Sequence, residues 1–236
     1  MIPFVIDGQP VEGKEGGNIL SVALDAGIDI PHLCYNESVK PYGACRLCLV
    51  EVKRRGRTSM TTSCTYPVLE GIEVFTQTEK VLRARRMIIE LILAMCPGDK
   101  LIQEMAKEMG VREVRFKQED KDCILCGLCA RVCEEVVGAN AIHFAFRGDR
   151  KEMIPPFGEA MNCIACGACV VACPVDVIRM KEEKDERTII RWKRTLKMKQ
   201  CKICGNYFAP WFQLEKFKEQ AKLQKDFFDV CYTCRT

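Results

Sequence analysis

The sequence predicts an α+β chain of small modules, each organised around a group of cysteines. Three observations carry that prediction: short alternating apolar runs before residue 78, apolar residues at helical spacing between 79 and 110, and seventeen cysteines, all but one of which fall into groups of four. The 236 residues are 48% hydrophobic and 29% charged, which excludes collagen, coiled coil and wholesale disorder and allows one or two domains. The chain opens Met1-Ile2-Pro3-Phe4 without the pattern of a secretory leader. Its longest apolar run, Met87 to Met95, is interrupted by Glu90 and falls short of the roughly 20 residues of a membrane span. The expectation is a cytoplasmic chain without a membrane segment. There thiols stay reduced, and an odd, large number of cysteines serves metals rather than disulfides.

From Phe4 to about Thr78 the chain reads as a small β-rich domain. Phe4-Val5-Ile6-Asp7-Gly8-Gln9-Pro10-Val11 gives two short strands around an Asp-Gly turn. Asn18 stands where it caps a helix with apolar positions Ile19, Leu20, Val22, Ala23 and Ala26, and Gly27 closes it before Ile28-Asp29-Ile30-Pro31. Leu49 to Lys53 and Gly71 to Phe75 alternate as further strands.

On that scaffold lie Cys34, Cys45, Cys48 and Cys64, the middle pair within Tyr42-Gly43-Ala44-Cys45-Arg46-Leu47-Cys48-Leu49-Val50-Glu51-Val52. Small residues before the pair let backbone amides approach the sulfurs, and such hydrogen bonds tune a cluster's potential. The segment resembles the [2Fe-2S] ferredoxin-like β-grasp domain that opens the large iron-sulfur subunit of respiratory complex I and related subunits of NAD-linked and bifurcating hydrogenases. Ten residues separate Cys34 from Cys45 where plant-type ferredoxins have four, which favours that branch. The resemblance implies a [2Fe-2S] cluster on these four cysteines. A zinc site or scattered core thiols are the alternatives.

Residues 79 to 110 read as helix, with Val81, Leu82, Met87, Ile88, Leu91, Ile92 and Met95 at helical spacing and a break at Pro97-Gly98. It is taken as a packed linker. The complex I family carries a further cluster motif here, one histidine and three cysteines, and Met95-Cys96-Pro97-Gly98-Asp99-Lys100-Leu101 has neither. The departure implies that this cluster is missing, and Cys96 is read as a small buried hydrophobe without chemistry.

The middle of the chain carries Cys123, Cys126, Cys129 and Cys133, then Cys163, Cys166, Cys169 and Cys173, each the C-x2-C-x2-C-x3-C run of bacterial ferredoxins. In such runs three thiolates grip one cubane while the fourth serves its neighbour. Cys123, Cys126, Cys129 and Cys173 are therefore assigned to one [4Fe-4S] cluster, and Cys163, Cys166, Cys169 and Cys133 to the other. The fourth cysteine of each run is expected to open a helix. The second run ends in the usual Cys173-Pro174, whereas the first ends Cys133-Glu134. Between them, Ile142 to Phe146 and Met153-Ile154 suggest short strands, and His143 is a surface or packing residue.

The tail opens with Lys181 to Arg187, read as a solvated linker, and a basic stretch from Arg191 to Lys202. There Arg191, Lys193, Arg194, Lys197 and Lys199 are candidates for an acidic partner, against the blander reading of a solvated face. Cys201, Cys204, Cys231 and Cys234 form paired C-x2-C knuckles around an insert whose Leu214, Phe217, Ala221 and Leu223 suggest an amphipathic helix. Cys-x2-Cys-Gly is the turn of a zinc ribbon, so a structural zinc is expected, with a further [2Fe-2S] as the alternative. Pro210-Trp211-Phe212 and Phe227-Phe228 are read as this module's core. The chain thus divides into a β-grasp [2Fe-2S] domain (1–78), a helical linker (79–116), a two-[4Fe-4S] ferredoxin-like domain (117–182), and a basic linker with a four-cysteine zinc-ribbon-like tail (183–236).

The formal charge of +4 does not by itself point to nucleic acid. A metal unit with four thiolates carries roughly −2 when oxidised, and four of them bring the loaded chain to about −4. No Gly-x-Gly-x-x-Gly after a strand and no Walker loop appears, so hydride chemistry and nucleotide binding are not expected here. Residues 1 to 180 resemble the small electron-transfer subunit of NAD-linked hydrogenases and formate dehydrogenases. That resemblance implies a non-catalytic subunit of a hetero-oligomer, relaying electrons between a flavin and NAD(H) diaphorase subunit and a hydrogenase, formate dehydrogenase or ferredoxin partner. The alternatives are a free polyferredoxin and a zinc-rich nucleic-acid-binding module.

Overall fold

The computed structural model describes residues 1–235, in two compact units, Met1–Gly127 and Leu128 onward. In the first, β1 (Ile2–Ile6) and β2 (Gln9–Gly13) form a hairpin whose turn residues Asp7 and Gly8 both take positive φ, 48° and 83°, as the twist of a tight hairpin requires. β5 (Glu73–Phe75) joins β1 in parallel and β3 (Leu49–Arg54) antiparallel, and β4 (Arg57–Thr62) completes the order β2-β1-β5-β3-β4. β4 has no apolar alternation for sequence reasoning to find. It forms because Arg55-Gly56 turns the chain back along β3, and its outer face lies in water.

Helix α1 (Ile19–Asp25) starts where Asn18 accepts the Ser21 amide at 2.9 Å, and buries Ile19, Leu20 and Ala23 against Ile6, Val50 and Val74 of the sheet. Gly13 is required by packing, since a Cβ there would lie 2.8 Å from both Val22 and Val68. Asp7 accepts the Thr76 amide at 2.8 Å and the Thr76 hydroxyl, fastening the hairpin turn to the end of β5. Helices α2 (Glu79–Met95) and α3 (Lys100–Glu108) are capped by Thr78 and Asp99 and part at Pro97-Gly98, as the sequence predicts. They bury Ile89, Ile92, Ile102 and Ala106, with Cys96 fully enclosed at the junction. Glu90, nearly buried, accepts three N–H groups of Arg115, which ties the segment after α3 back onto α2.

In the second unit α4 (Leu128–Arg131) runs into a π-helical turn, Val132–Val136, and β6 (His143–Ala145) pairs with β7 (Glu152–Ile154). After α5 (Ala168–Val171), strands β8 (Met180–Glu183), β9 (Glu186–Ile189), β10 (Arg194–Gln200) and β11 (Tyr207–Pro210) form an antiparallel sheet in chain order, followed by α6 (Trp211–Ala221) and the short α7 (Tyr232–Arg235). His143 is exposed. No helix among the described residues is long and apolar enough to cross a membrane.

Four local expectations are corrected. Lys181 to Arg187 is not a linker but the β8–β9 hairpin, whose charges pair across the strands: Arg187 with Glu182 at 2.6 Å, and Lys197 of β10 with Asp185 at 2.9 Å. A charge run reads as solvated when its partners are themselves in the run. The fourth cysteines do not open helices. Cys129 and Cys169 lie inside α4 and α5, Cys133 follows in the π-helical turn, and Cys173 sits in the turn after α5. Leu223 lies beyond α6, which ends where Lys222 takes φ 51°. Trp211 and Phe227 are not core but substantially exposed, with Lys199 stacked 4.6 Å over Trp211 and Arg235 3.9 Å over Phe227. Ile189, Trp192, Met198 and Leu214 are buried in this region instead.

Candidate metal centres

Cys34, Cys45, Cys48 and Cys64 are all buried in the first unit, on the loop after α1, the loop into β3, and the turn after β4. The Cys45 amide donates to Cys34 Sγ at 3.4 Å, and Arg46 holds a left-handed φ of 61° between the paired cysteines. Such a local reversal turns successive backbone N–H groups inward, the geometry that stabilises bound negative charge. The thiols of Cys34 and Cys45 hydrogen-bond to each other, as do those of Cys48 and Cys64. In each pair this exchange pulls one thiol down (Cys45, Cys48) and pushes the other up (Cys34, Cys64).

Two contacts that the sequence does not advertise fix the loop. The Ser63 hydroxyl and amide both donate to the Cys48 carbonyl at 2.9 Å. Arg85 of α2 is buried and donates Nε and Nη2 to the Leu49 carbonyl at 3.1 and 2.6 Å, one residue past Cys48. Burial lowers the Arg85 pKa, so this cation sits where water does not compensate it.

The two C-x2-C-x2-C-x3-C runs share a backbone device. Leu125 and Ala165, each two residues past the first cysteine, take φ of 53° and 51°, and Gly127 and Gly167 follow at 73° and 82°. In the first run this turns the Leu125 amide onto Cys123 Sγ at 3.4 Å. Cys123 and Cys126 belong to the last loop of the first unit, and Cys129 to α4 at the start of the second.

Within the second unit Cys133, Cys163, Cys166 and Cys169 line one apolar cavity together with Ile142 and Ile164. The donor set fits an iron-sulfur cluster: four thiols converging on a pocket with almost no competing polar lining. Burial pushes Cys133 and Cys163 up and Cys169 up to about 12, so without metal these thiols stay protonated. The Ala141 amide donates to Cys133 Sγ at 3.4 Å, and the indole Nε1 of Trp192 to Cys169 Sγ at 3.5 Å.

The tail brings Cys201, Cys204, Cys231 and Cys234 together, with all four sulfurs within 4.8 Å of one another and Cys204 to Cys231 at 3.8 Å. The Cys231 amide donates to Cys201 Sγ at 3.3 Å and pulls that thiol down to about 6, while thiol hydrogen bonds from Cys204 and Cys231 push Cys234 up to about 12. Asp229 holds the knuckles from outside through Lys199 at 2.6 Å and Lys202 at 2.5 Å, which keep its carboxyl down at about 2. The basic stretch is thus largely spent inside the chain. Arg194 donates to the carbonyls of Cys163 and Met161, Lys197 pairs with Asp185 and Glu186, and Lys199 pairs with Asp229.

Comparison with known proteins finds iron-sulfur domains along the chain. Residues 1–79 match a 2Fe-2S iron-sulfur cluster binding domain, and residues 117–180 and 162–236 each match a 4Fe-4S dicluster domain. The chain is 34% identical over 209 residues to NADPH-Fe(3+) oxidoreductase subunit alpha of Geobacter sulfurreducens, covering 78% of this chain and 24% of the relative. It is 32% identical over 212 residues to NADP-reducing hydrogenase subunit HndD of Solidesulfovibrio fructosivorans, covering 75% of this chain and 36% of that one. NADH-ubiquinone oxidoreductase 75 kDa subunit of Reclinomonas americana is 31% identical, over 77% of this chain and 30% of its own length. The chain therefore spans about a quarter to a third of these curated relatives. Among solved structures, a chain of the NAD+-reducing [NiFe]-hydrogenase in the H2-reduced state superposes with a TM-score of 0.65 at 28% identity, covering 74% of this chain and 85% of that one.

Proposed function

We propose that this chain, a homologue of the iron-sulfur subunits of NAD(P)-linked oxidoreductases and hydrogenases, is the electron-relay subunit of a cytoplasmic hetero-oligomer. It passes single electrons between a flavin and NAD(H) diaphorase subunit and a hydrogenase, formate dehydrogenase or ferredoxin partner. The observation that carries the reading is the cavity in which Cys133, from the first run, stands among Cys163, Cys166 and Cys169 of the second. That interleaving is what two adjacent cubanes require, and two adjacent cubanes are a conduit.

Cys34, Cys45, Cys48 and Cys64, all buried, would hold the [2Fe-2S] cluster. Cys123, Cys126, Cys129 and Cys173 hold one [4Fe-4S] cluster, and Cys133, Cys163, Cys166 and Cys169 the other. When bound, the clusters accept and release one electron each. The protein's part is to keep them dry, anchored and supplied with N–H donors.

The tail holds zinc. A tetrahedral ion with Zn–S of about 2.3 Å places its sulfurs about 3.8 Å apart, and Cys204 and Cys231 stand 3.8 Å apart. In a [2Fe-2S] cluster two thiolates on one iron stand equally close, but thiolates on different irons lie farther apart, so it is the gathering of all four sulfurs within 4.8 Å of one another that favours a single ion. The dicluster match over 162–236 favours the other reading, a further iron-sulfur centre. Anaerobic iron, sulfide and zinc analysis with EPR of the reduced chain decides: about ten Fe and one Zn support zinc, and about twelve or more Fe without zinc make the tail a redox centre. Cys45→Ser and Cys126→Ser each remove or alter one cluster and slow electron transfer to the partner. Full iron with unchanged turnover in both variants overturns the relay.

A further inference from the structure

The β8–β11 sheet follows the cysteine runs and carries no cysteine in β8, β9 or β10, yet it reaches back onto the second run at three points. Arg187 of β9 donates to the Ala165 carbonyl at 3.3 Å. Arg194 of β10 donates to the carbonyls of Cys163 at 3.0 Å and Met161 at 3.1 Å. Between the two strands, Trp192 turns its indole inward, 3% exposed, and donates Nε1–H to Cys169 Sγ at 3.5 Å.

The geometry points to Trp192 as a positioning residue that sets the reduction potential of the cluster held by Cys133, Cys163, Cys166 and Cys169, with Arg187 and Arg194 holding the loop that keeps the indole in register. This rests on the proposed ligand assignment for that cluster. Indole N–H is a donor only, so the sulfur is the sole acceptor in this contact. When one electron arrives from the neighbouring relay centre, no proton or ligand is exchanged, and the negative charge shared by the four sulfurs grows by one. A fixed donor aimed at one of those sulfurs in a dry pocket interacts more strongly with the reduced state than with the oxidised one, and so raises the potential. The cation of Arg194, on the carbonyl of Cys163, acts in the same direction.

The test is an anaerobic, mediator-controlled EPR redox titration of the full, cluster-loaded chain. Trp192→Phe keeps an aromatic ring and removes the donor. It is expected to lower one [4Fe-4S] potential, reducing the equilibrium for that step by roughly three- to tenfold (tenfold is 59 mV for one electron), and to leave the other and the [2Fe-2S] potential in place. Because the chain has only two tryptophans, a Trp211→Phe background allows Trp192 alone to be replaced by a fluorotryptophan. Its more acidic N–H and nearly unchanged shape are expected to move the same potential upward. A role in packing alone predicts no response to fluorination, so unchanged potentials in both proteins overturn the inference. If Trp192→Phe fails to load its cluster, the fluorinated chain still decides. A wild-type chain that shows only one [4Fe-4S] centre overturns the ligand assignment instead, a result visible before any variant is made.

Discussion

Ala165 shows how much of a cluster site is decided by residues that never touch iron. It is fully buried, takes φ 51°, and presents its carbonyl to Arg187. A left-handed conformation costs an L-residue about 1–2 kcal/mol, tolerable for alanine and severe for a β-branched side chain. Ala165→Val is therefore expected to lose the cluster of the second run, a drop of about four Fe per chain by iron assay, while Ala165→Gly keeps full iron. Equal iron in both variants would mean that the loop does not need this reversal. The cysteines proposed as ligands stood out in the sequence because a tight turn fixes their spacing and thiolates suit such sites. Trp192 and Arg85 did not, because their partners lie 23 and 36 residues away and are reached only through the fold. An isolated tryptophan amid basic residues was the one available signal for the former.

At the scale of elements, the strands and helices with clean periodicity or caps were legible: the β1–β2 hairpin, α1 behind Asn18, and the α2–α3 break. The edge strands β4 and β8, and β9 between β8 and β10, were not, because polar strands are stabilised by cross-strand partners rather than by burying alternate residues. Arg85 is the clearest bond between elements, joining α2 to the start of β3 beside Cys48. Arg85→Met leaves the Leu49 carbonyl buried without its donor, a cost of about 1–3 kcal/mol. Thermal unfolding followed by the [2Fe-2S] visible spectrum should show a lower midpoint, and an unchanged midpoint would mean that another donor takes over. The tail offers a pH test. Lys199 and Lys202 hold the Asp229 carboxyl at about 2, so its contribution is complete above the ordinary carboxylate range and is lost only as pH falls through about 2. Asp229→Asn should thus weaken metal retention at the four-cysteine site by a factor that stays constant between about pH 5 and 8 in chelator competition. A factor that shrinks across that range would place the titrating group elsewhere.

For the molecule as a whole, metal loading is a change of sign. The bare chain carries +4 with a pI near 8.3, and its cations were open to reading as a surface for nucleic acid. Within the fold, however, Arg194 is committed to carbonyls and Lys197, Lys199 and Lys202 to carboxylates, so the basic stretch before the tail cysteines serves contacts inside the chain. Each four-thiolate unit then adds roughly −2, so a chain with the [2Fe-2S] and two [4Fe-4S] clusters falls to about −2, and with tail zinc to about −4. Anaerobic native electrophoresis at pH 7 should accordingly drive the metal-free chain toward the cathode and the loaded chain toward the anode. Reloading the tail after selective removal of its metal should add one further step in the same direction. A loaded chain that still migrates as a cation would mean that the sites are not all filled through four thiolates. A relay subunit whose charge reverses on loading associates differently as apoprotein and holoprotein, since the fields that steer docking follow net charge.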